Sequence, residues 1–145
     1  MLEMANAYAH LSASGHPAVI NPILEVKTAD GSILYKKEVK QQDQLIPDGV
    51  ANVVSSILSD RNNMPPSWIS NFTLQGDIAY ATKSGTSDVK VTHNGEQVIR
   101  ARDGWLAAYT PTKVALFWSG NTDGKPMGPE AFGGRLNAPV RKTFW

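Results

Sequence analysis

The sequence has 145 residues, of which 41% are hydrophobic, and a formal net charge of +1. This length supports one modest core, so we expect a single domain or part of one. The near-neutral charge argues against an electrostatic nucleic-acid binder, and the absence of cysteine excludes disulfides, thiol nucleophiles and cysteine-ligated metals.

Neither end of the sequence carries a targeting or membrane segment. No apolar run approaches the roughly 18 residues of a membrane span, and Met1-Leu2-Glu3 does not begin a secretion signal. The chain opens directly on a helical pattern and stops at Phe144-Trp145, two bulky aromatics that need something to pack on. We therefore expect a piece of a longer protein, with any anchor outside this chain.

The first elements of the chain are predicted to be a helix, a hairpin and a second helix. Apolar residues recur every three or four positions over 2–14, and Gly15 follows as a helix stop. Alternation on both sides of Asp30-Gly31 predicts a hairpin over 19–37. Proline opens a helix over 47–59. Its expected core-facing stripe consists of Val50, Val53, Val54, Ile57 and Leu58.

A long segment without periodicity follows from Asp60 to Gly76. It is interrupted by Pro65-Pro66, and loops of this length in compact domains tend to be functional or to wrap a surface. Two aromatic residues within it, Trp68 and Phe72, either line a substrate groove or cover the sheet. We favour the covering role.

The most informative stretch is a strand predicted over 78–86. Ile78, Tyr80 and Thr82 alternate with small alanines, which suits a strand packed on both faces. The run Lys83-Ser84-Gly85-Thr86 then places a cation, two hydroxyls and a bare backbone at the strand end. This pattern predicts an anion-binding strand edge. The structural alternatives are a solvated lysine and a glycine that marks a β-bulge.

The remainder of the chain predicts an antiparallel sheet and a final helix. Asn94-Gly95 centres a projecting hairpin over 88–100, and alternation predicts strands over 103–109 and 113–119. Residues 121–134 are expected to be loop, before a short helix that begins near Ala138-Pro139. The fold class is therefore α+β, with an antiparallel sheet flanked by helices.

Several blocks of the sequence resemble one known family. Lys-[Ser/Thr]-Gly is a motif of penicillin-binding proteins and serine β-lactamases, and Lys83-Ser84-Gly85 matches it. The further blocks, in family order, are Leu2-Glu3-Met4-Ala5, Arg102-Asp103-Gly104-Trp105, Ala108-Tyr109-Thr110-Pro111, Trp118-Ser119-Gly120-Asn121, Asp123-Gly124-Lys125-Pro126-Met127, Gly133-Gly134 and Ala138-Pro139-Val140. Together they resemble the C-terminal part of the transpeptidase domain of a class A, or bifunctional glycosyltransferase/transpeptidase, penicillin-binding protein. The resemblance implies a β-lactamase/transpeptidase-like fold.

The sequence also departs from the family pattern. In the family, the nucleophilic Ser-x-x-Lys and the Ser-x-Asn motif precede the segment that this chain resembles. Ser87-Asp88-Val89-Lys90 spells the first motif but follows a strand instead of opening a helix, and Ser119-Gly120-Asn121 spells the second by accident. The segment 87–101, which follows the motif strand, is longer than the short connection found at this place in the family. We therefore expect no complete catalytic set in this chain.

The resemblance implies roles for five residues. Lys83, Ser84 and Thr86 would bind the carboxylate of a D-Ala-D-Ala stem peptide or a β-lactam, and Gly85 would let the acyl group lie against the strand, with Ser87 beside them. The Thr86 backbone N–H would form half of the oxyanion hole. No cofactor and no nucleic-acid partner are implied. The parent protein would act at the extracytoplasmic face of the bacterial cell membrane in peptidoglycan synthesis.

The other polar candidates are expected to be structural. Asp103 is predicted to pair with Arg100 or Arg102, and Trp105 to be a core aromatic. The three histidines, His10, His16 and His93, are too dispersed for a metal site.

Two alternatives to a transpeptidase remain. In the first alternative the chain is a non-catalytic binding or scaffolding module with the same fold. In the second it is part of a serine β-lactamase or DD-carboxypeptidase. Because the earlier strands and the nucleophile helix of the family fold are not in this chain, we expect an uncovered sheet edge or apolar face and some self-association.

Overall fold

The structure is a computed structural model that describes residues 1–17, 19–38, 43–66, 68–69 and 80–144. Its described elements in chain order are α1 (Leu2–Ser12), β1 (Glu25–Lys27), β2 (Ile33–Lys36), α2 (Asp48–Ser59), a 3₁₀ turn (Arg61–Asn63), β3 (Ala81–His93), β4 (Glu96–Thr110), β5 (Lys113–Gly120) and α3 (Gly133–Phe144). No helix in this described part is long and apolar enough to cross a membrane.

The central element is an antiparallel sheet in the order β3-β4-β5. The predicted motif strand and the predicted hairpin over 88–100 are one continuous pair of strands, interrupted by a register shift between Ser87 and Asp88. Asn94 and Gly95 both have positive φ angles, 52° and 86°, as a two-residue hairpin turn of the primed type requires. The arm beyond the shift therefore continues the sheet.

Helices cover both faces of this sheet. Successive residues of a strand point to opposite faces, so Leu106 and Tyr109 of β4 face opposite sides. Leu106 is fully buried with Ala138 of α3, while the Tyr109 ring contacts Tyr8 of α1 at a centroid distance of 6.0 Å. The predicted α+β class, with an antiparallel sheet flanked by helices, is confirmed.

Helix α2 forms where predicted, but its buried face differs from the predicted stripe. Ala51 is its only fully buried residue within the described structure, and the Ser55 hydroxyl lies 3.1 Å from the Tyr109 hydroxyl. Val50, Val53 and Ile57 are more than half exposed, at 53%, 59% and 54%. The prediction of a core-facing stripe was therefore wrong for these three residues. Helix α2 packs against β3 through the face that carries the small residue Ala51.

Helix α1 ends at Ser12, two residues before the predicted boundary. Ser14 and Gly15 have φ angles of 52° and 87°, a left-handed conformation that cannot continue a right-handed helix. The Gly15 carbonyl then accepts hydrogen bonds from the amides of both Leu45 and Ile46. The turn that ends α1 therefore also fixes the approach to α2.

The hairpin over 19–37 has shorter strands than predicted, with Val26 paired to Tyr35 and every strand residue exposed. The predicted start of the last helix near Ala138 was wrong, because α3 begins five residues earlier, at Gly133. Pro139 lies inside this helix instead of in its first turn. The expectations for Ile78 and for Phe72 concern positions outside the described residues.

Candidate active site

Lys83, Ser84, Gly85 and Thr86 lie on β3, which pairs with β4 on one side only in the described sheet. Their register partners on β4 are Ala107, Leu106, Trp105 and Gly104. Alternation places Lys83 on one face of the strand and Ser84 with Thr86 on the other. The predicted strand edge therefore carries its ammonium group and its two hydroxyls on opposite faces of the same short run.

The Lys83 side chain is exposed, and its ammonium donates a hydrogen bond to the Ser84 carbonyl at 2.6 Å. Two clefts border Lys83 and Ser84. One, of about 230 Å³, runs toward Met64 and Trp68, and the other, of about 180 Å³, toward Tyr8 and Trp105. A cation between two open clefts is accessible to an anionic ligand.

Trp68 covers the sheet, as favoured from the sequence, and it also lines a cleft. Its ring stacks on Phe132 at 5.6 Å and packs against the buried pair Leu106 and Ala138, and it also lines the cleft beside Lys83. The wall of that cleft is therefore part of the hydrophobic core.

The space at Gly85 is open. A Cβ atom built there would meet only Trp105 Cβ, at 3.6 Å, which is an ordinary contact. The strand register is regular through Gly85 and shifts only between Ser87 and Asp88, so the alternative that Gly85 marks a bulge was wrong. Its missing side chain instead leaves the backbone accessible.

The Thr86 hydroxyl contacts the first turn of α3. Its oxygen accepts a hydrogen bond from the Gly133 amide at 3.1 Å. Thr86 is nevertheless an exposed residue. This contact was not predicted, because the sequence pattern placed Gly133-Gly134 in a loop, and only tertiary structure brings the glycine pair to the strand.

Ser87 bonds to Asp103, its register partner on β4. The Ser87 hydroxyl donates to one carboxylate oxygen at 2.6 Å, and the Trp118 indole N–H donates to the other at 3.0 Å. These two bonds, with a smaller contribution from the charge of Arg102, lower the pKa of Asp103 below its ordinary value. The predicted arginine partner of Asp103 is therefore secondary to Ser87 and Trp118.

The two accidental motif matches, at Ser87–Lys90 and at Ser119–Asn121, make hydrogen bonds with other parts of the structure. Ser87 and Lys90 lie three residues apart on an extended strand, so they point to opposite faces and cannot share one helical turn. The Ser119 hydroxyl donates to the Asn137 side chain at 2.6 Å, and the Asn121 amide donates to the Lys125 carbonyl at 3.0 Å. In the first match the serine is therefore bonded to Asp103 and does not share a face with its lysine.

The described fold is an antiparallel sheet between helices, with the run Lys83-Ser84-Gly85-Thr86 on its edge strand. The family model of the penicillin binding protein transpeptidase domain matches residues 1–144. The chain belongs to the penicillin-binding protein transpeptidase family. The resemblance described from the sequence is thereby confirmed.

Two curated relatives are class A proteins of mycobacteria. Penicillin-binding protein 1A of Mycolicibacterium smegmatis is 29% identical over 149 residues, which cover 99% of this chain and 18% of the relative. Penicillin-binding protein 1A of Mycobacterium tuberculosis is 30% identical over 152 residues, covering 99% of this chain and 17% of the relative. The chain thus spans less than a fifth of these proteins.

Two solved structures have the same fold over this segment. The penicillin-binding protein PonA1 from Mycobacterium tuberculosis matches with a TM-score of 0.78 and 29% identity, over 97% of this chain and 36% of that chain. PonA1 in complex with penicillin V matches with a TM-score of 0.74 and 27% identity, over the same shares.

Proposed function

We propose that this segment supplies the carboxylate-binding and oxyanion-binding part of a peptidoglycan DD-transpeptidase. The observation that carries the proposal is the run Lys83–Thr86 on β3, which pairs on one side only in the described sheet. A ligand at the open edge can therefore meet the Lys83 ammonium from one face and the Ser84 and Thr86 hydroxyls from the other. A cation with hydroxyls nearby suits a carboxylate ligand, since hydrogen bonds to an ionised group are the stronger ones.

Each residue has a defined role in this proposal. Lys83 supplies the positive field for the terminal carboxylate of a D-Ala-D-Ala stem peptide, and Ser84 and Thr86 donate hydrogen bonds to it. The Thr86 N–H donates to the oxyanion of the tetrahedral intermediate. Loss of one such donor in other enzymes costs about 2.7–4 kcal/mol in the transition state. Ser87, whose hydroxyl donates to Asp103, shapes the end of the site.

The nucleophile and its base come from outside these 145 residues in this proposal. The one Ser-x-x-Lys of the sequence lies in a strand, and its serine is bonded to Asp103. We therefore expect the isolated chain to be catalytically inactive and to bind β-lactams poorly. The complete protein acts in cell-wall synthesis at the extracytoplasmic face of the bacterial membrane, and its active site is acylated by β-lactams.

The proposal is tested with a fluorescent penicillin and mass spectrometry, on the isolated chain and on the complete transpeptidase domain in parallel. We expect a covalent adduct on the complete domain only. An adduct on the isolated chain would reveal a nucleophile within it. No adduct on the complete domain would favour the non-catalytic module, and rapid loss of the adduct would favour a β-lactamase or carboxypeptidase.

A further inference from the structure

The N-terminus of α3 lies on the sheet face that carries Thr86, over the paired residues Gly85 and Trp105. Gly133 is the first residue of α3, and its amide donates to the Thr86 hydroxyl oxygen at 3.1 Å. A Cβ atom on Gly133 would lie 2.1 Å from the Gly85 carbonyl oxygen and 2.5 Å from that of Trp105. Only glycine therefore allows the helix to begin so close to the strand.

A buried side chain one turn further along holds the helix in this place. Asn137 is 1% exposed, and its amide donates to the Gly104 carbonyl at 3.0 Å. Its carbonyl oxygen accepts from the Ser119 hydroxyl at 2.6 Å. Gly104 is the register partner of Thr86 on β4. The helix start is thus fixed relative to Thr86 through hydrogen bonds to β4 and β5.

The contact restricts what the Thr86 hydroxyl can do. A threonine hydroxyl has one proton to donate and two lone pairs to accept with, and it rotates to suit its partners. The Gly133 amide occupies one lone pair, so the hydroxyl proton remains available to donate to another partner. First-turn amides carry the positive end of the helix dipole, and a hydroxyl that accepts from one becomes a stronger donor.

We propose that Gly133 is a positioning residue for substrate binding, whose amide fixes the Thr86 hydroxyl as a hydrogen-bond donor to the substrate carboxylate. The inference rests on the proposed function, because it adds to the role of Thr86 in that site. Gly133 acts through Thr86 and does not touch the substrate. Its contribution depends on the charge of the ligand, which a purely structural role would not.

The test replaces the Gly133 amide by an ester in the complete transpeptidase domain, through ligation of a synthetic peptide that carries glycolate at this position. The change removes one N–H and adds no volume. The acylation rate constants for a penicillin and for its uncharged methyl ester are measured. We expect the rate with the free acid to fall about threefold to tenfold and the rate with the methyl ester to stay unchanged.

The matched control places the same glycolate at Gly134, the next first-turn amide, and should leave the acid-to-ester ratio unchanged. Equal losses for acid and ester at position 133, or no loss for either, would overturn the proposal.

Two threonine variants separate this inference from the proposed function. Thr86→Val should lower acylation by the free acid about tenfold or more, and Thr86→Ser, which keeps the hydroxyl, should restore most of this loss. If Thr86→Val left acylation by the acid unchanged, the proposed function itself would fail. If Thr86→Val lowered the acylation rate with the free acid and the Gly133 ester did not, only the positioning role would fail.

A direct readout uses the amide resonance of Gly133 in a ¹⁵N-labelled protein. We expect a downfield proton shift and slow hydrogen exchange in the natural protein and in Thr86→Ser, both lost in Thr86→Val. A resonance that does not respond to Thr86→Val would contradict the hydrogen bond on which the proposal depends.

Discussion

Lys83 and Asp103 illustrate two ways in which a charged side chain of this sheet is used. The exposed Lys83 ammonium donates to the carbonyl oxygen of its neighbour Ser84, whereas the Asp103 carboxylate accepts bonds from a hydroxyl and an indole. An accessible cation is suited to a ligand, and a doubly bonded carboxylate to a structural junction. The following two predictions separate these roles.

Replacing Lys83 with methionine removes the charge and keeps a long side chain. We expect acylation of the complete domain by a fluorescent penicillin to slow by about tenfold to a hundredfold, because a charge-assisted contact to the carboxylate is lost. Lys90→Met, at an exposed position of the same strand, is the control and should leave the rate unchanged. A rate for Lys83→Met equal to the control would contradict the carboxylate-binding role.

Asp103 should make stability depend on pH in the acid range. Its pKa is lowered in the folded protein, chiefly by the Ser87 hydroxyl, so its ionised form stabilises the fold above the ordinary aspartate pKa of about 3.9. This contribution is lost as the pH falls through the folded pKa. The difference in unfolding temperature between the natural protein and Asp103→Asn should therefore be largest near neutral pH and shrink below about pH 4.

The exposed carboxylate Asp88, at the register shift, offers the matched control for this measurement. Asp88→Asn should not reproduce the pH-dependent difference. A constant difference for Asp103→Asn from neutral to acid pH would show that its two hydrogen bonds do not depend on its charge.

At the scale of elements, glycine decides how closely α3 approaches the sheet. A Cβ on Gly104 would lie 3.0 Å from the Cα of Gly133, so the new methyl group would meet backbone, with no flexible group to move aside. We expect Gly104→Ala to lower the free energy of unfolding by about 1–3 kcal/mol, the usual cost of overpacking. Denaturant unfolding of the complete domain measures it.

Gly49 provides a comparison of opposite sign. It lies in α2, where a Cβ atom added to it would have no atom within 4 Å, and alanine is the better helix former. Gly49→Ala should raise the unfolding free energy by about 0.5 kcal/mol. If both alanine variants destabilised equally, the close approach at Gly104 would not be the cause.

Sequence periodicity predicted the existence of most elements but not their contacts. The turn at Asn94-Gly95 and the alternation in β4 are local signals, and both predictions hold. The buried face of α2 could not be predicted, because the helix packs through Ala51 and leaves Val53 outside. Likewise, the start of α3 depends on the space between Gly133 and β3, which no local pattern encodes.

The candidate site shows the same division. The position of the run Lys83-Ser84-Gly85-Thr86 on a strand could be predicted from the sequence, since the alternation around it is regular. The partners of this run could not. Asp103 lies opposite Ser87 only because a register shift follows there, and Gly133 reaches Thr86 from 47 residues away along the chain.

At the scale of the whole molecule, the residues that the structure describes leave apolar surface exposed and two strand edges unpaired. The described sheet ends in β3 on one side and β5 on the other, and Val53 and Ile57 of α2 are more than half exposed. Exposed strand edges and apolar patches favour pairing with another chain. We therefore predict that the isolated chain self-associates, in a concentration-dependent manner measurable by light scattering.

The double variant Val53→Lys/Ile57→Lys should reduce this association if the α2 face contributes to it. Ser56→Lys, on an exposed position of the same helix, is the control. A monomer at high concentration in the natural sequence would contradict the prediction. Association that the double variant leaves intact would assign it to the strand edges.

The hydrogen bonds from the Leu45 and Ile46 amides to the Gly15 carbonyl join the two ends of the segment between α1 and α2. The chain departs at the end of α1, forms the small exposed hairpin of β1 and β2, and returns to the same point before α2 begins. Because the ends of this segment are joined and its strands are exposed, we expect that it can be shortened or replaced by another sequence while α1 and α2 stay packed together.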